Sequence, residues 1–358
     1  MSKIKGVIQV IDSLNAGGAE VLAVNIANGL SKAGENSHIC VTREEGELKN
    51  NISKKNNYLF LKKKRTIDFF AIYRFIVYIN KNSINIIHAH ASSYFFAFCI
   101  KLFYPKVSIV WHDHYGKSQD LDSRELFPLN ICSYFFHSIV SVNSDLKKWA
   151  EKSLNCKRVD FLNNFAVFTN TESITNLKGI YGKRIVHLAA FREQKDHLNL
   201  LEAFKIINKK YPEYTLHLIG KIHENKYSKK IRTFVKKGNL TGSVFFYDVC
   251  LDIKNILNQS NIGVLSSKSE GLPVSLLEYG LANLPVLVTD VGECKKVINH
   301  NKAIVVAENS DFFATHMIEL IENLELRNEI STILNKNIND FFSEKKFINK
   351  IKKVYLNE

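Results

Sequence analysis

Two glutamates eight positions apart, Glu270 and Glu278, bracket the segment EGLPVSLLE. The apolar run IGVLSS before them, residues 262–267, is typical of a buried parallel strand. Pro273 suits the first position of a helix that we expect to run from Val274 to Leu281. A helix that starts beside the carboxyl end of a strand directs free N–H groups and its positive dipole end at a ligand. The segment therefore predicts an anion site, and phosphate is the natural anion.

The spacing of the two acids narrows the chemistry. Eight residues of helix span about 12 Å, whereas the paired carboxylates of glycosidases lie about 5 to 9.5 Å apart. Acids this far apart are poorly placed to act on one bond, but they could hold the two ends of an extended ligand with a diphosphate between them. A nucleotide sugar has that shape. The alternative is a pair of exposed helix acids, which are common on helix surfaces.

Two cations occupy a turn between a strand and its helix in the segment RIVHLAAFREQKDHLNLLEAF: they are Arg192 and Lys195. Cations there could neutralise a diphosphate through charge-assisted hydrogen bonds. The alternative is a solvated basic loop. Both cations nevertheless share the strand-to-helix edge that Glu270 occupies.

A glycine pair, Gly17 and Gly18, lies in the loop between the first strand and a helix that we expect from about Glu20. Glycine lets a ligand approach the backbone at a helix N-terminus. Because the loop is not G-x-G-x-x-G, a plain tight turn is the alternative.

Four histidines lie at the ends of two neighbouring strands. His88 and His90 are at the end of one strand, and His112 and His114 are at the end of the next. Imidazoles at strand ends can converge on one ion, so one alternative is a metal-dependent hydrolase that uses all four. These segments offer few partner ligands beyond Asp113. We therefore favour one substrate-contacting histidine, His112, directly after its strand, with the others structural.

The segment DLD, with Asp120 and Asp122, could indicate the D-x-D metal site that some sugar transferases have. It follows a polar segment and not a strand. We interpret it as a surface loop.

Apolar runs alternate with helical patterns along the chain, which predicts an α/β fold with parallel sheets. We expect two sheets, with strands at residues 7–12, 38–42, 58–61, 85–88, 108–111, 139–142 and 159–162, and then at 184–190, 215–219, 244–247, 262–266, 286–289 and 303–306. The predicted domains are residues 1–172 and 173–340, with the polar segment 169–183 as linker. The final helix, residues 341–358, is expected to pack back on the first domain.

The composition limits the class of protein. A length of 358 residues suffices for two domains with separate cores. The six cysteines form no C-x-x-C pair, which disfavours a disulfide framework or a zinc ribbon and favours a reducing cytosol. The start, MSKIKGVIQVID, has too few consecutive apolar residues for a signal peptide or a membrane span.

The net charge of +14 requires an anionic partner. Basic runs occur at residues 62–65, 226–237 and 345–353. The first run precedes TIDFFAIYRFIVYI, a helix candidate with a wide apolar arc that could rest on an anionic membrane. The alternative is a core helix that covers a sheet, preceded by a solvated loop, and both interpretations hold if the helix is only partly covered. Nucleic acid is a further candidate partner, but no binding motif or aromatic-basic platform supports it.

Together these residues resemble the family-4 retaining glycosyltransferases. The resemblance covers nearly the whole chain and is strongest at SKSEGLPVSLLEYGLANLPVLVTDVGE, which is similar to the family's E-x7-E segment, P-V strand and T-D-V-G turn. FREQKDH is similar to the family's R-x-x-K turn, with alanine at Ala189 or Ala190 in place of the usual glycine. The resemblance implies a GT-B fold, in which two Rossmann-like domains face each other across a cleft.

By this resemblance, Glu278 would bind the ribose hydroxyls and Glu270 the transferred sugar, assisted by the backbone around Gly271 and Leu272. The Gly17–Gly18 loop would lie near the phosphates and the acceptor.

The resemblance also implies that Arg192 and Lys195 hold the diphosphate and that His112, or in its place His114, reaches the sugar. No metal and no cofactor is expected, because basic side chains and a helix end carry the leaving-group charge. The expected reaction moves a hexose-type sugar, with retention, from a nucleotide-diphosphate sugar, above all a UDP-sugar, to a hydroxyl of a glycan or lipid-linked glycan. We expect a cytoplasmic enzyme of bacterial capsule, O-antigen or exopolysaccharide synthesis, at the inner face of the cytoplasmic membrane.

Overall fold

The computed structural model describes residues 4–116, 121–168, 172–305 and 308–357. The chain divides into two compact units, of which the first runs to Phe165 and resumes at Glu344, and the second comprises Ala166–Ser343. The sequence analysis placed these boundaries at residues 172 and 340.

The polar segment 169–183 was expected to link the domains. Its described part is hydrogen-bonded to the rest of the second unit: the backbone N–H groups of Ile174 and Thr175 donate to the Asp252 carboxylate at 2.9 and 2.7 Å. The unit boundary therefore falls before this segment and not within it.

Among its described residues the first unit has seven strands: β1 (Val7–Ser13), β2 (Ser37–Glu44), β3 (Asn57–Phe60), β4 (Ile86–His90), β5 (Ser108–Asp113), β6 (Ser138–Ser141) and β7 (Val159–Phe161). They lie parallel in the order β3-β2-β1-β4-β5-β6-β7. All seven predicted strands are confirmed, because their short apolar runs suit strands that are covered on both faces. The chain order reverses between β1 and β4, and ligands of such sheets bind at the carboxyl ends of the strands at this switch point.

Five helices of the first unit connect these strands: α1 (Gly18–Lys32), α2 (Phe69–Lys81), α3 (Tyr94–Phe103), α4 (Leu129–Cys132) and α5 (Ser144–Ser153). The side chains of Asp68 and Asn143 cap α2 and α5 by accepting hydrogen bonds from backbone N–H groups of the first turn. Helix α1 begins at Gly18 and so earlier than expected, because Gly17 in an extended conformation serves as its N-cap.

In the part of the second unit that the structure describes there are six strands: β8 (Arg184–Leu188), β9 (Thr215–Ile219), β10 (Val244–Tyr247), β11 (Ile262–Leu265), β12 (Val286–Thr289) and β13 (Ile304–Val305). They are parallel in the order β10-β9-β8-β11-β12-β13. All six predicted strands are confirmed. The switch point of this sheet lies between β8 and β11.

The remaining helices are α6 (His197–Lys210), α7 (Lys226–Lys237), α8 (Ile253–Asn258), α9 (Val274–Leu281), α10 (Cys294–Ile298), α11 (Ser310–Glu322), α12 (Leu324–Phe341) and α13 (Glu344–Leu356). Helix α9 has the predicted bounds. The expectation that Pro273 is its first residue is wrong, because the ψ angle of 126° at Pro273 is extended and makes it the N-cap.

Helix α13 is part of the first unit and packs on α1. The hydroxyl of Tyr355 lies 2.7 Å from His88 Nδ1, and Glu344 pairs with Lys32 of α1 at 2.9 Å. Gly29 of α1 permits this approach, since a Cβ atom there would lie only 2.7 Å from Ile348 Cδ1.

Within the described ranges, no helix is both long enough and apolar enough to cross a membrane.

Candidate active site

The loops after β8 and β11 lie side by side, because these two strands are neighbours at the switch point of the second sheet. Lys195 from the first loop places its Nζ 2.5 Å from Oε1 of Glu270 in the second. Ser267 Oγ donates to the same oxygen at 2.6 Å. The structure thus joins two predicted residues that are 75 positions apart in the chain.

Burial makes this ion pair more than a surface contact. The side chains of Glu270 and Lys195 are only 7% and 18% exposed. A buried carboxylate depends on its partners, because removing one leaves a desolvated charge. A ligand that offers a hydroxyl to Glu270 and a phosphate oxygen to Lys195 would replace one set of charge-assisted bonds with another.

Side-chain and backbone bonds hold the two loops together. Ser266 Oγ donates to the carbonyl oxygens of Lys195 at 3.0 Å and of Asp196 at 3.1 Å, and the N–H of Lys268 donates to the Gln194 carbonyl at 2.8 Å. The turn with Arg192 and Lys195 is therefore positioned by the strand that delivers Glu270.

The T-D-V-G turn after β12 supports the same loop, a role that the sequence analysis did not assign. Thr289 Oγ1 donates to the Ser267 carbonyl at 2.6 Å. Gly292 has φ +56°, and a side chain there would collide with the carbonyl oxygens of Glu270 and Gly271. The sequence signal for this supporting role was a glycine after the end of a strand. The residues that this glycine contacts depend on how two segments far apart in the chain pack together.

Gly271 and Leu272 lie between Glu270 and α9, and the Leu272 side chain is buried. Glu278 is part of α9 and is half-buried. Within the described part of the chain, its carboxylate has no hydrogen-bond or ion-pair partner, and burial raises its pKa to about 7. The second predicted carboxylate is thus separate from the Lys195–Glu270 pair and is available to donors from a ligand.

Arg192 is not part of the pair. Its backbone is extended, its side chain is exposed, and among the described residues none forms a hydrogen bond or ion pair with its guanidinium group. It lies in the loop whose neighbour Lys195 is fixed, so it is free to bind an anion.

In the first unit, Gly17 and Gly18 lie at the start of α1, at the carboxyl end of β1. A Cβ atom at Gly18 would meet nothing within 4 Å. The backbone is therefore open to a ligand, but neither residue has a positive φ angle and the fold does not require glycine at Gly18.

The four predicted histidines form one stack of rings. Centroids of His88 and His90 are 4.5 Å apart, those of His90 and His112 are 5.4 Å apart, and those of His112 and His114 are 4.3 Å apart. Burial lowers the pKa of His88 and of His114 to about 3 and holds the pKa values of the other two well below the usual range. All four rings are therefore neutral at physiological pH.

The expected position of His112 directly after its strand is wrong, because β5 continues through Asp113. The His112 ring is fully buried and lies 6.4 Å, centroid to centroid, from Phe347 of α13. His114 follows the strand and is half-buried. Of the two candidates, only His114 has an accessible surface.

A metal site is sterically conceivable at this stack, since one nitrogen of each of His88, His90 and His112 lies within 4.8 Å of the others. However, both ring nitrogens of His90 already have partners, at 3.0 Å in His114 and at 2.9 Å in Gln9. These bonds engage His90 and disfavour that ring as a ligand for an ion.

Asp113, considered above as a further ligand, has another role. Its carboxylate forms a two-fold ion pair with Arg124 at 2.7 and 2.9 Å, and the guanidinium group lies 4.1 Å from the ring centroid of Trp149 and 4.3 Å from that of Tyr115. This cluster fixes the chain directly after His114, and the sequence analysis missed it.

In the segment DLD, Asp120 lies outside the described residues, and Asp122 is exposed in a turn. The interpretation of Asp122 as part of a surface loop is consistent with this position.

Two family models match the sequence. Residues 176–336 match the family described as glycosyl transferases group 1, and residues 16–165 match glycosyltransferase family 4. An uncharacterized glycosyltransferase of Methanocaldococcus jannaschii is 31% identical over 105 residues, which are 29% of this chain and 25% of that protein. The O-antigen biosynthesis glycosyltransferase WbnH of Escherichia coli is 23% identical over 86% of this chain and 87% of its own length.

Among solved structures, HepE of Anabaena in complex with UDP and glucose has a TM-score of 0.80 at 14% identity, over 99% of this chain and 100% of that one. This likeness shows the fold. The hydrolase alternative finds no support among these relatives. The two family matches together cover most of the sequence, and the chain belongs to the family-4 glycosyltransferases with a GT-B fold.

Proposed function

We propose that this protein transfers a hexose-type sugar from a nucleotide-diphosphate sugar to a hydroxyl group of a glycan or lipid-linked glycan, with retention of configuration. The observation that carries the proposal is the buried Lys195–Glu270 pair at the switch point of the second sheet, directly before the N-terminus of α9. Phosphate suits Lys195 and the helix end, and a sugar hydroxyl suits Glu270. UDP is the proposed nucleotide, in analogy to the complex of HepE.

In the proposed reaction, the acceptor oxygen forms a bond to the anomeric carbon while the bond from that carbon to the donor phosphate oxygen breaks. The electron pair leaves with the nucleoside diphosphate, whose charge is taken up by Arg192, Lys195 and the α9 N-terminus. The acceptor proton moves to an oxygen of the leaving phosphate. Neither Glu270 nor Glu278 acts as a nucleophile, and no metal ion or cofactor is needed in this scheme.

Glu278 would receive the ribose hydroxyls, because its carboxylate is half-buried and has no partner in the described structure. The backbone of Gly271 and Leu272 would assist at the phosphates. For the first unit we propose that the half-buried His114, and not the inaccessible His112, supplies the imidazole for the sugar, and that the Gly17–Gly18 backbone contacts the ligand.

The acceptor is proposed to be a growing surface polysaccharide on a lipid carrier, as in O-antigen, exopolysaccharide or capsule assembly. The name of WbnH, an O-antigen biosynthesis glycosyltransferase, supports this class. The reaction would take place in the cytoplasm at the inner face of the membrane, where contact with anionic lipid brings the protein to its acceptor.

A donor-turnover assay tests the proposal. After a thermal-shift screen of nucleotide sugars has identified the donor, release of the nucleoside diphosphate is measured for Glu270→Gln and Lys195→Ala. We expect at least about a hundredfold loss in both, because an electrostatic contact of this kind contributes ~2.7 to 4 kcal/mol to catalysis.

Lys210→Ala is the matched control, since Lys210 also pairs with a glutamate, Glu322, at 2.6 Å but on the surface. His114→Ala should lower turnover more than His112→Gln. Near-normal rates in both site variants would contradict the assignment of Lys195 and Glu270.

A further inference from the structure

Helix α2 exposes a row of large apolar side chains on the first unit. Phe70 is 83% exposed and Tyr73 69%, and Phe69 and Val77 lie on the same outer side. The opposite side of the helix holds it in place, because Ala71, Ile72, Phe75 and Ile79 are buried in the core. The sequence analysis weighed a core helix against a membrane-facing helix, and α2 has one face of each kind.

The apolar surface continues onto α3. The ring of Phe69 lies 6.4 Å, centroid to centroid, from that of Phe103, and Leu102 and Phe103 are both more than half exposed. We call the six side chains Phe69, Phe70, Tyr73, Val77, Leu102 and Phe103 the outer aromatic face. Contiguous exposed apolar surface of this kind marks a binding site for a protein or a membrane.

Charge distinguishes between these partners. Asp68 is the only acidic residue between Lys62 and Lys106, and its carboxylate already accepts hydrogen bonds from the N–H groups of Lys64 and Ala71. Apart from Asp68, the charged residues from Lys62 to Lys106 are cations, and exposed ones border the apolar side chains at both ends of the face.

Lys64 and Arg65 lie directly before α2, and Lys106 lies just after α3; all three are exposed. Aromatic rings bordered by exposed cations match the boundary between acyl chains and anionic headgroups. A second copy of the chain is a poor partner, because pairing this face with itself would bring like charges together.

We propose that the outer aromatic face binds the surface of an anionic lipid bilayer, with the aromatic rings at the acyl boundary and Lys64, Arg65 and Lys106 at the headgroups. This inference deepens the proposed function, because it names the surface that would hold the first unit beside a lipid-linked acceptor. It requires no change in the fold, since the buried side of α2 stays packed.

The test is sedimentation of the full chain with vesicles of phosphatidylcholine alone or with about 30% phosphatidylglycerol. The wild-type protein should bind the anionic vesicles and not the neutral ones. Lys64→Gln with Arg65→Gln should weaken binding about thirtyfold, and Phe70→Ala with Tyr73→Ala at least about tenfold.

Tyr181→Ala is the control, because Tyr181 is 74% exposed in the second unit and lies outside the face; it should bind vesicles like the wild type. Equal binding of all variants, or no preference for anionic vesicles, would overturn the proposal. Association of the protein without vesicles that is lost in Phe70→Ala with Tyr73→Ala would instead identify a face between copies of the chain.

A thermal-shift measurement with nucleotide sugars on the same proteins separates this inference from the proposed function. The two double variants whose vesicle binding is weakened should retain the wild-type thermal shift with the donor. If the wild-type protein binds anionic vesicles but no nucleotide sugar, the proposed reaction is refuted and the role of the outer aromatic face is not. If it binds a nucleotide sugar but no anionic vesicles, only the role of the outer aromatic face is refuted.

Discussion

Glu278 differs from Glu270 in what surrounds its carboxylate. Glu270 has a lysine and a serine as partners, whereas Glu278 has none within the described residues and its pKa is raised to about 7 by burial. Ionising a buried carboxylate that has no partner costs free energy, and hydroxyl groups that donate hydrogen bonds to it lower this cost. Ribose hydroxyls would supply such donors.

This difference predicts a pH dependence. Because the folded chain holds the proton of Glu278 more tightly than the unfolded chain, this group contributes stability below about pH 4.5 that is lost as the pH rises through 7. Glu278→Gln should therefore raise the melting temperature by a few degrees at about pH 8 and little at about pH 5. Glu202→Gln is the control, because Glu202 is an exposed acidic residue in a helix.

Scanning calorimetry at the two pH values measures the effect. If Glu278→Gln lowered the melting temperature at the higher pH, the carboxylate would have a partner that stabilises its ionised form. The same variant should also lose affinity for the donor, and that loss should increase with pH because the wild-type carboxylate then ionises.

At the scale of single residues, the sequence predicted the positions of some candidate side chains better than their contacts. Lys195 and Glu270 lie at one edge of the second sheet, because the carboxyl ends of neighbouring parallel strands share that edge. Ser267 and Thr289 were missed, because a hydroxyl in a loop has no signature for a partner that lies far along the chain. His112 was expected after its strand, but β5 extends through it.

At the scale of elements, the turn after β12 decides how accurately the site is built. Gly292 has a left-handed backbone and lies against the carbonyl oxygens of Glu270 and Gly271. A side chain there would have to displace the loop that carries the catalytic candidate. The position therefore needs glycine for two reasons, conformation and space.

Gly292→Ala should lower stability by about 1 to 3 kcal/mol through backbone strain and should also abolish most donor turnover through displacement of Glu270. Gly182→Ala is the matched control, since Gly182 has φ +92° and a Cβ atom added there would meet nothing within 4 Å. It should lose stability but retain turnover. Unfolding in urea and the turnover assay measure the two effects, and full turnover in Gly292→Ala would refute the role of the turn.

Elements were more predictable than contacts. Strands such as Thr215–Ile219 and Val286–Thr289 have the predicted bounds, because a buried parallel strand is a continuous apolar run that ends at polar or turn residues. Helix starts were less certain. Gly18 opens α1 because the preceding glycine is extended, and that conformation has no fixed sequence signal.

At the scale of the whole molecule, the net charge of +14 is consistent with two anionic partners of different size. Arg192 and Lys195 would bind the diphosphate of a small donor, and the cations beside the outer aromatic face would bind a membrane. The sequence indicated both, and the structure shows α2 buried on one side and exposed on the other, as expected for a partly covered helix.

The most direct test of the central claim is calorimetric titration of the protein with a panel of UDP-sugars and GDP-sugars. The account predicts that one nucleotide sugar binds to the wild type, that Lys195→Ala weakens this binding at least about tenfold, and that Lys210→Ala leaves it unchanged. A wild-type protein that binds none of these donors, or a Lys195→Ala variant that binds as tightly as the wild type, would contradict the assignment of the Lys195–Glu270 pair as the donor site.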